Sequence, residues 1–465
     1  MLSNRQIKRA CDHCHAVKEK CRRLDPKRPC ERCARLSQKC ETRRDITKTG
    51  RKSRFARRLA YTLPNATEAA CISGYVDDLP LYNAGLGSNT AMLPGLDAWE
   101  MHFVNLMKDG EGSSPLDKFL VGPSFYQSHH VAFMQSIMKP TSPLKDAAVA
   151  CAAVLFGDHE AEYAGTSMEI AYERAARAVS LRSCRISNAT DLGTVLVLGM
   201  SLTTFAMHVA EGHPSLISHY ILSLVEPQYE RFLPPRSVLT DFLMCLICTE
   251  TFECLLRSET PAMRVNTDGR SEVVDRYVGI SYPIFPLLYD ICQISSCMRT
   301  SPGVESHERA DRLTELSSAL EKWQPSPPPD LLRRFSQSEA VGILAQARIL
   351  RLLGLLIIHR LQHPYGRKDH AASRVSQAII AEFEMLLERT GRSVPCTALA
   401  YLAACFEIVD AESRGHAISR MPEIITFSRQ SQIKFHARLI AVWNARDLDH
   451  SFCWFELGRY LCESK

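Results

Sequence analysis

Beyond about residue 95, apolar residues recur along the chain at helical spacing. In residues 307–323 they fall three or four positions apart, which places them on one face of an α-helix. Ser306 stands in the N-cap position and the prolines within residues 325–329 follow, so both ends of this helix are marked. The segment 339–363 is apolar on nearly every side and is followed by Pro364, which predicts a central, buried helix.

Similar apolar patterns predict four further helices, at residues 169–182, 192–210, 240–257 and 397–412. Alternating patterns typical of β-strands are scarce. The long C-terminal part of the chain, residues 95–465, is therefore predicted to be a large all-α domain.

The segment 192–210 has to be considered as a membrane span as well, because it contains no Asp, Glu, Lys or Arg. It does contain the hydroxyl groups of Ser201 and Thr203 and the imidazole of His208, which are costly to place in lipid. We expect a buried helix here and no membrane partner for the protein.

Charge is distributed unevenly. Residues 1–60 carry 20 Lys and Arg against 6 Asp and Glu, whereas the remaining residues carry 36 against 45. A short basic head on an acidic body indicates that the head meets a polyanion and that the body does not. The apolar content of 46% excludes a wholly disordered chain.

Six of the eighteen cysteines fall within thirty residues of this basic head, and no apolar secretion signal precedes them. A reducing compartment, in which clustered thiols hold metal, is therefore expected. The ligand candidates form two copies of the spacing CxxCx6C: Cys11, Cys14, Cys21, Cys30, Cys33 and Cys40.

Each copy supplies three sulfurs to a metal ion. Two tetrahedral zinc ions need eight ligand positions, so two sulfurs must bridge both ions unless outside ligands take part. His13 and His15 offer nitrogen, but they adjoin Cys14 on a tight turn and are expected to point away. Because Val17 and Leu36 are the few candidates for an apolar core, metal binding must supply most of the folding free energy.

The segment ACDHCHAVKEKCRRLDPKRPCERCARLSQKC resembles the fungal binuclear zinc cluster DNA-binding domain, whose members are sequence-specific transcription factors. Pro26 and Pro29 lie in the loop where the family carries proline. The resemblance implies two zinc ions per chain, bridged by Cys11 and Cys30, and binding to double-stranded DNA in the nucleus.

A short helix is expected between the second and third cysteines, from His15 to Lys20. In the family the position of Lys18 contacts the base edges of a CGG triplet, and lysine can donate to guanine O6 and N7 in the major groove. Lys20 is expected to bind phosphate. The other DNA-contact candidates are Arg9, His15, Arg22, Arg23, Arg43 and Arg44.

The sequence departs from the family beside Lys18. His15 and Val17 stand where Arg or Lys is usual, and Glu19 adds a negative charge. Phosphate affinity from this helix should be lower than in the family, and the triplet preference is open to change. The surrounding basic residues are expected to compensate, with binding that weakens steeply with salt.

Residues 43–94 are interpreted as a basic connector and linker. Their basic clusters, at 43–44 and 51–58, are typical of a nuclear localisation signal, a tail along the DNA backbone, or both, and a plain linker is the alternative. No heptad repeat is found between residues 41 and 75. The protein is therefore expected to bind DNA as a monomer or to dimerise through its helical body.

A second resemblance covers roughly residues 95–450. The segments YVGISYPIFPLLYDICQISS, RADRLTELSSALEKWQP and LAYLAACFEIVDAESRGHAI resemble successive parts of the fungal-specific transcription factor regulatory domain. This resemblance implies a regulatory module that binds a small-molecule effector, a partner or a second copy of the chain. Its relatives control amino-acid, sterol, drug-response and secondary-metabolite genes.

No catalytic motif for a nucleotide-binding loop, a serine hydrolase or a zinc protease occurs in the body, so no catalytic residue is predicted and the chain is not expected to be an enzyme. The thiols of Cys245, Cys248 and Cys254 are predicted to be buried on a helix. His129 and His130 are predicted to be a surface pair.

The sequence thus predicts a binuclear zinc cluster at 8–42, a linker at 43–94 and an all-α regulatory domain at 95–465. We expect a transcription factor of RNA polymerase II genes, of the kind that regulates one pathway, such as a secondary-metabolite cluster. The alternative is an effector-binding or enzymatic helical protein that its zinc head brings to chromatin. A third interpretation, an RNA- or protein-binding zinc module, is disfavoured because residues 1–54 contain no aromatic side chain for base stacking.

Overall fold

The computed structural model divides the chain into two compact units, Met1–Ser73 and Gly74–Lys465. The residues that it describes are 10–17, 21, 28–42, 95–108, 114–137, 143–159, 164–180, 186–232, 238–266, 273–301, 307–448 and 451–461. The predicted linker 43–94, with Arg43 and Arg44, lies outside these residues.

The described part of the first unit contains two one-turn helices, α1 (Asp12–Ala16) and α2 (Glu31–Arg35). Each begins directly after a cysteine. The Cys14 N–H donates to the sulfur of Cys11, and the Cys33 N–H donates to the sulfur of Cys30, both at 3.4 Å. A cysteine sulfur therefore takes the capping role that Ser or Asp plays at other helix starts.

The helix predicted at residues 15–20 is wrong in its position. The observed helix begins at Asp12, because the sulfur of Cys11 accepts the Cys14 N–H and so places Cys14 in the first turn. The described helix ends at Ala16, and Val17 forms a turn. Lys18, Glu19 and Lys20 lie outside the described residues.

The described part of the body consists of helices joined by short connections, and no β-strand occurs there beyond an isolated bridge between Asp275 and Gly279. Short 3-10 turns cover Pro115–Phe119, Pro123–Phe125, Tyr282–Ile284 and Trp454–Glu456. The helices are α3 (Ala98–Lys108), α4 (Tyr126–Ile137), α5 (Pro143–His159), α6 (Ala164–Ser180), α7 (Ala189–His208), α8 (Pro214–Val225), α9 (Tyr229–Phe232), α10 (Val238–Arg257), α11 (Phe285–Thr300), α12 (His307–Lys322), α13 (Leu331–Arg334), α14 (Gln337–Gln362), α15 (Asp369–Thr390), α16 (Ala398–Phe406), α17 (Ala411–Ile424), α18 (Arg429–Asp447) and α19 (Leu457–Leu461).

The amphipathic pattern of α12 and the apolar pattern of α14 are both confirmed. Helix α12 buries Leu313, Leu316 and Leu320, and it packs against α14. Helix α14 buries most of its residues and packs against α11, α12, α15 and α16, as expected of a central helix. Its N-terminus is fixed by a capping box between Ser336 and Glu339.

Within the part of the chain that the structure describes, two helices are long and apolar enough to cross a membrane, α7 and α14. Their most apolar stretches are 72% and 67% buried within the body. The predicted buried helix at residues 192–210 is thus confirmed, and its apolar surface is used for packing in the core.

The prediction of one helix over residues 397–412 is wrong. Helix α16 ends at Phe406 and α17 starts at Ala411. Between them, the side chain of Asp410 accepts the N–H of Ser413 at 2.8 Å and so caps the start of α17. Residues 397–412 are apolar enough to continue a helix, but the strong N-cap residue divides them.

The predicted surface pair of His129 and His130 is also wrong. His129 is only 3% exposed and lies 3.4 Å from the hydroxyl of Tyr277, and burial lowers its pKa to about 3. His130 contacts the carboxylate of Asp117 at 2.9 Å. The expectation of buried helix cysteines holds for Cys248 and Cys254, whereas Cys245 is half-buried.

Candidate metal centre and nucleic-acid interface

In the described part of the first unit, the interior is made of cysteine sulfur. The side chains of Cys11, Cys14, Cys30 and Cys33 are fully buried, and partly buried Cys21 and Cys40 pack against them. The four buried cysteines are the first and fourth residues of each CxxC turn. The two outer cysteines, Cys21 and Cys40, are the last residues of the two CxxCx6C segments.

The sulfurs fall into two groups of four, and within each group all sulfurs lie within 4.8 Å of one another. Cys11 and Cys30 belong to both groups. Cys14 and Cys21 complete the first group, and Cys33 and Cys40 complete the second. Six thiols are thus arranged as two four-sulfur shells with two shared members.

The distances between sulfurs fit zinc. Cys11 lies 3.8 Å from Cys30 and 3.6 Å from Cys33, and Cys14 lies 3.6 Å from Cys30. Tetrahedral coordination with Zn–S bonds of about 2.3 Å places neighbouring sulfurs about 3.8 Å apart. A disulfide would need about 2.05 Å. The donor set and its spacing therefore suit a binuclear zinc centre.

The backbone repeats the same hydrogen bonds in both halves, nineteen residues apart. In addition to the two capping bonds, the N–H of Cys11 donates to the sulfur of Cys21 at 3.3 Å, and the N–H of Cys30 donates to the sulfur of Cys40 at 3.2 Å. The residue that supplies each shared sulfur therefore also donates its backbone N–H to the sulfur of an outer cysteine. The repeated spacing in the sequence becomes a repeated geometry.

The thiols differ in acidity. The Cys33 N–H lowers the pKa of Cys30 to about 6, and although burial opposes it, the Cys14 N–H helps to lower the pKa of Cys11. Burial raises the pKa of Cys14 to about 12 and also raises that of Cys33. Since metals bind thiolates, the two shared sulfurs are the ones that the fold already favours in the charged form.

Val17 and Leu36, the few candidates for an apolar core, do not form one. These side chains are 45% and 44% exposed, and in the described part of the unit the sulfurs are the buried apolar groups. The two residues stand at equivalent positions of the two halves, three after Cys14 and three after Cys33. With no hydrocarbon interior here, metal coordination has to hold this unit together.

Backbone contacts close the unit. The N–H of Asp12 donates to the carbonyl oxygen of Glu41 at 2.8 Å, so the residue after the second half is tied to the start of the first. Lys39 and Glu41 form an ion pair at 2.9 Å on the surface. His13 belongs to neither four-sulfur group, and the side chain of His15 lies outside the described residues.

Most of the residues predicted to contact DNA lie outside the described residues: Arg9, Lys18, Lys20, Arg22, Arg23, Arg43 and Arg44. The described surface does carry cations that sequence reasoning left out. Arg35 and Lys39 are exposed, and Arg32 is half-buried on α2. Their position in the second CxxCx6C segment, which repeats the spacing of the first, is the signal that could have found them.

The two halves differ at the position predicted to read a base. A shift of nineteen residues carries Lys18 onto Ser37, which has a left-handed backbone with φ of 51°. The same shift carries Lys20 onto Lys39. Only the first half therefore has a lysine at the reading position.

Comparison with known families gives two matches. A model of the fungal Zn(2)-Cys(6) binuclear cluster domain matches residues 9–49. A model of the fungal specific transcription factor domain matches residues 147–462. No curated protein and no solved structure gives a significant match.

Proposed function

The chain belongs to the fungal specific transcription factor family, with a zinc-binding Zn(2)-Cys(6) head, and we propose that this head reads CGG-like triplets in the major groove of DNA. Binding two zinc ions through six cysteines is the shared property of the head domain. The finer assignments concern which residues touch DNA and what the body contributes.

The observation that carries the proposal is the pair of four-sulfur groups joined at Cys11 and Cys30. This arrangement needs two ions to order a unit whose described part has no hydrocarbon core, and it leads directly into the segment that holds Lys18. Two bound ions would offset four of the six thiolate charges, and the six cysteines would hold them so that the two halves are linked. We assign Cys11 and Cys30 as the bridging ligands.

Lys18 is proposed to donate from its ammonium group to guanine O6 and N7, which specifies the base. The asymmetry between Lys18 and Ser37 supports reading by the first half alone. Phosphate contacts position the head without specifying sequence. The residues proposed for that role are Arg9, His15, Lys20, Arg22, Arg23, Arg43 and Arg44.

The body is proposed to regulate the head without catalysing a reaction. It would bind a small-molecule effector or a second copy of the chain, and the protein would act in the nucleus on the genes of one pathway. The family matches support a regulatory role for the body, and its described part shows a helical core built around α14.

Selection of binding sites tests the proposal. Full-length, zinc-loaded protein is mixed with random-sequence DNA duplexes, and bound duplexes are recovered and sequenced over several rounds. Enrichment of a CGG-like triplet is expected. The same enrichment after removal of zinc, or no enrichment with zinc present, would contradict the proposal.

A further inference from the structure

The body contains a small cavity of about 140 Å³ where α7 ends and α8 begins, against α10 and α18. Three cationic side chains line it: Arg257, Lys434 and Arg438. His213 and Ser215 complete the side where α8 starts. We call this group of five residues the basic cleft.

The basic cleft has an excess of positive charge. The single carboxylate in its lining is Glu253, which accepts from Arg438 at 3.2 Å and from Nε of Arg257 at 3.2 Å. One negative charge thus faces three positive ones. Like charges held together in a partly buried site are destabilising unless a further anion is present.

Several donors in the cleft remain available. Lys434 uses two of its three N–H groups on the carbonyl oxygens of Val209 and Gly212, at 3.2 and 3.0 Å. Among the described contacts, Arg257 uses only its Nε, so both of its terminal nitrogens are open. The hydroxyl of Ser215 also lines the cavity.

Two further features favour an anion. Helix α8 begins at Pro214, so its positive dipole end faces the cleft. Burial and the neighbouring Arg438 lower the pKa of Lys434, and burial, Arg257 and Lys434 lower the pKa of His213. Both groups therefore lie in an environment that disfavours additional positive charge.

We propose that the basic cleft binds a small oxyanion with two negative charges, namely phosphate, free or as the phosphate group of a small metabolite. The volume is well below the range of about 300–1,000 Å³ that is usual for drug-sized ligands. The terminal nitrogens of Arg257 and the free N–H of Lys434 would bind the oxygens. This inference rests on the proposed effector role of the body and gives that effector a chemical class.

Isothermal titration calorimetry on full-length, zinc-loaded protein tests the inference. Inorganic phosphate is titrated at constant ionic strength in a chloride buffer, and glycerol 3-phosphate is titrated in parallel. Saturable binding of one anion to the body is expected. Tighter binding of glycerol 3-phosphate would identify an organic phosphate as the ligand, and tighter binding of inorganic phosphate would identify the free ion.

Because the head is basic as well, variants have to locate the binding. Arg257→Gln and Lys434→Met are expected to weaken phosphate binding by about tenfold or more, since each removes a charge-assisted donor. Arg374→Gln, at an exposed arginine on α15, should bind as the parent protein does. Arg257→Gln leaves the carbonyl contacts of Lys434 in place, so it serves if Lys434→Met fails to fold.

The inference is overturned if the parent protein shows no saturable phosphate binding, or if folded Arg257→Gln protein binds phosphate as tightly as the parent. Binding to selected operator DNA is measured on the same preparations. A failure of DNA recognition is thereby distinguished from a failure of the anion site.

Discussion

The sulfur atoms of Cys11 and Cys30 lie 3.8 Å apart, and both belong to each of the two four-sulfur groups. The remaining four cysteines belong to one group each. This difference between shared and unshared sulfurs determines how the head should respond to the loss of a single ligand.

Replacing a cysteine with a shared sulfur should release more zinc ions than replacing an outer cysteine. Cys30→Ala leaves both groups with three sulfurs and is expected to lose both ions, whereas Cys21→Ala leaves the second group complete and should keep about one. Elemental analysis of purified protein measures the ratio. Cys297→Ala, at an exposed cysteine of the body, is the control and should keep two ions. A Cys30→Ala protein with two ions would show that Cys30 is not a bridging ligand.

Lys18→Ala should remove discrimination at one base pair. We expect operator affinity to fall by about 1–3 kcal/mol while affinity for DNA with a changed triplet hardly moves, because a base contact is lost. Lys20→Ala, at a proposed phosphate contact, should weaken binding to both DNAs alike. Gel-shift titrations at one fixed salt concentration measure both effects. Equal losses for Lys18→Ala on the two DNAs would make it a phosphate contact.

Glu339 should contribute to stability in a pH-dependent way. It accepts the N–H of Ser124 at 2.7 Å and that of Ser336 at 2.9 Å, and although burial opposes the charge, these donors hold its pKa below the ordinary value. A lowered folded-state pKa contributes fully above the unfolded value of about 4.3 and is lost as the pH falls through the folded value.

Glu339→Gln is therefore expected to destabilise the body by about 2 kcal/mol at pH 7, and by less below pH 4. Thermal unfolding followed by circular dichroism at several pH values measures the difference. Glu384→Gln, at an exposed glutamate on α15, should have little effect at any of them. A Glu339→Gln effect that stays constant with pH would show that packing, not charge, is responsible.

The buried ion pair of Arg360 and Glu407 should be intolerant of single changes. Arg360 is fully buried, its Nε donates to Glu407 at 2.7 Å, and its guanidinium lies 4.5 Å above the ring of Tyr365. Glu407→Leu removes the buried partner of Arg360 and leaves the half-exposed Asp369, at 2.7 Å, to balance its charge, so a loss of about 3 kcal/mol is expected. Denaturant unfolding measures this loss.

The double variant Arg360→Met/Glu407→Leu should recover much of that stability, because both charges of the buried pair are removed together. Asp447→Asn, in the more exposed pair with Arg414, should cost far less. If the double variant is less stable than Glu407→Leu alone, the remaining contacts of Arg360 matter more than its charge balance.

The helical body could be predicted where one periodic pattern ran uninterrupted. Helices α12 and α14 lie close to their predicted positions, because each turn of α12 places apolar residues on its buried face and α14 is apolar on nearly every side. The break before α17 was missed, because a capping aspartate at 410 competes with a run of apolar residues that would also suit a helix. Burial of His129 depends on Tyr277, 148 residues away, so no local pattern shows it.

The metal ligands could be predicted because their spacing is local and repeated. The sulfur caps that start α1 and α2 could not, since cysteine is not a usual capping residue. The basic cleft could not be predicted from the sequence, for a different reason. Its members come from the start of α8, from α10 and from α18, and only the packing of these helices brings them together.

Sharing of Cys11 and Cys30 has a consequence for any shortened form of the head. A peptide with only the first CxxCx6C segment carries three thiolates, one short of a tetrahedral shell. Without an outside ligand, it would complete its coordination by associating with another such peptide, each lending one sulfur to the other. The intact head is therefore the covalently linked equivalent of a symmetric peptide dimer, in which the proline-bearing loop substitutes for association between separate molecules.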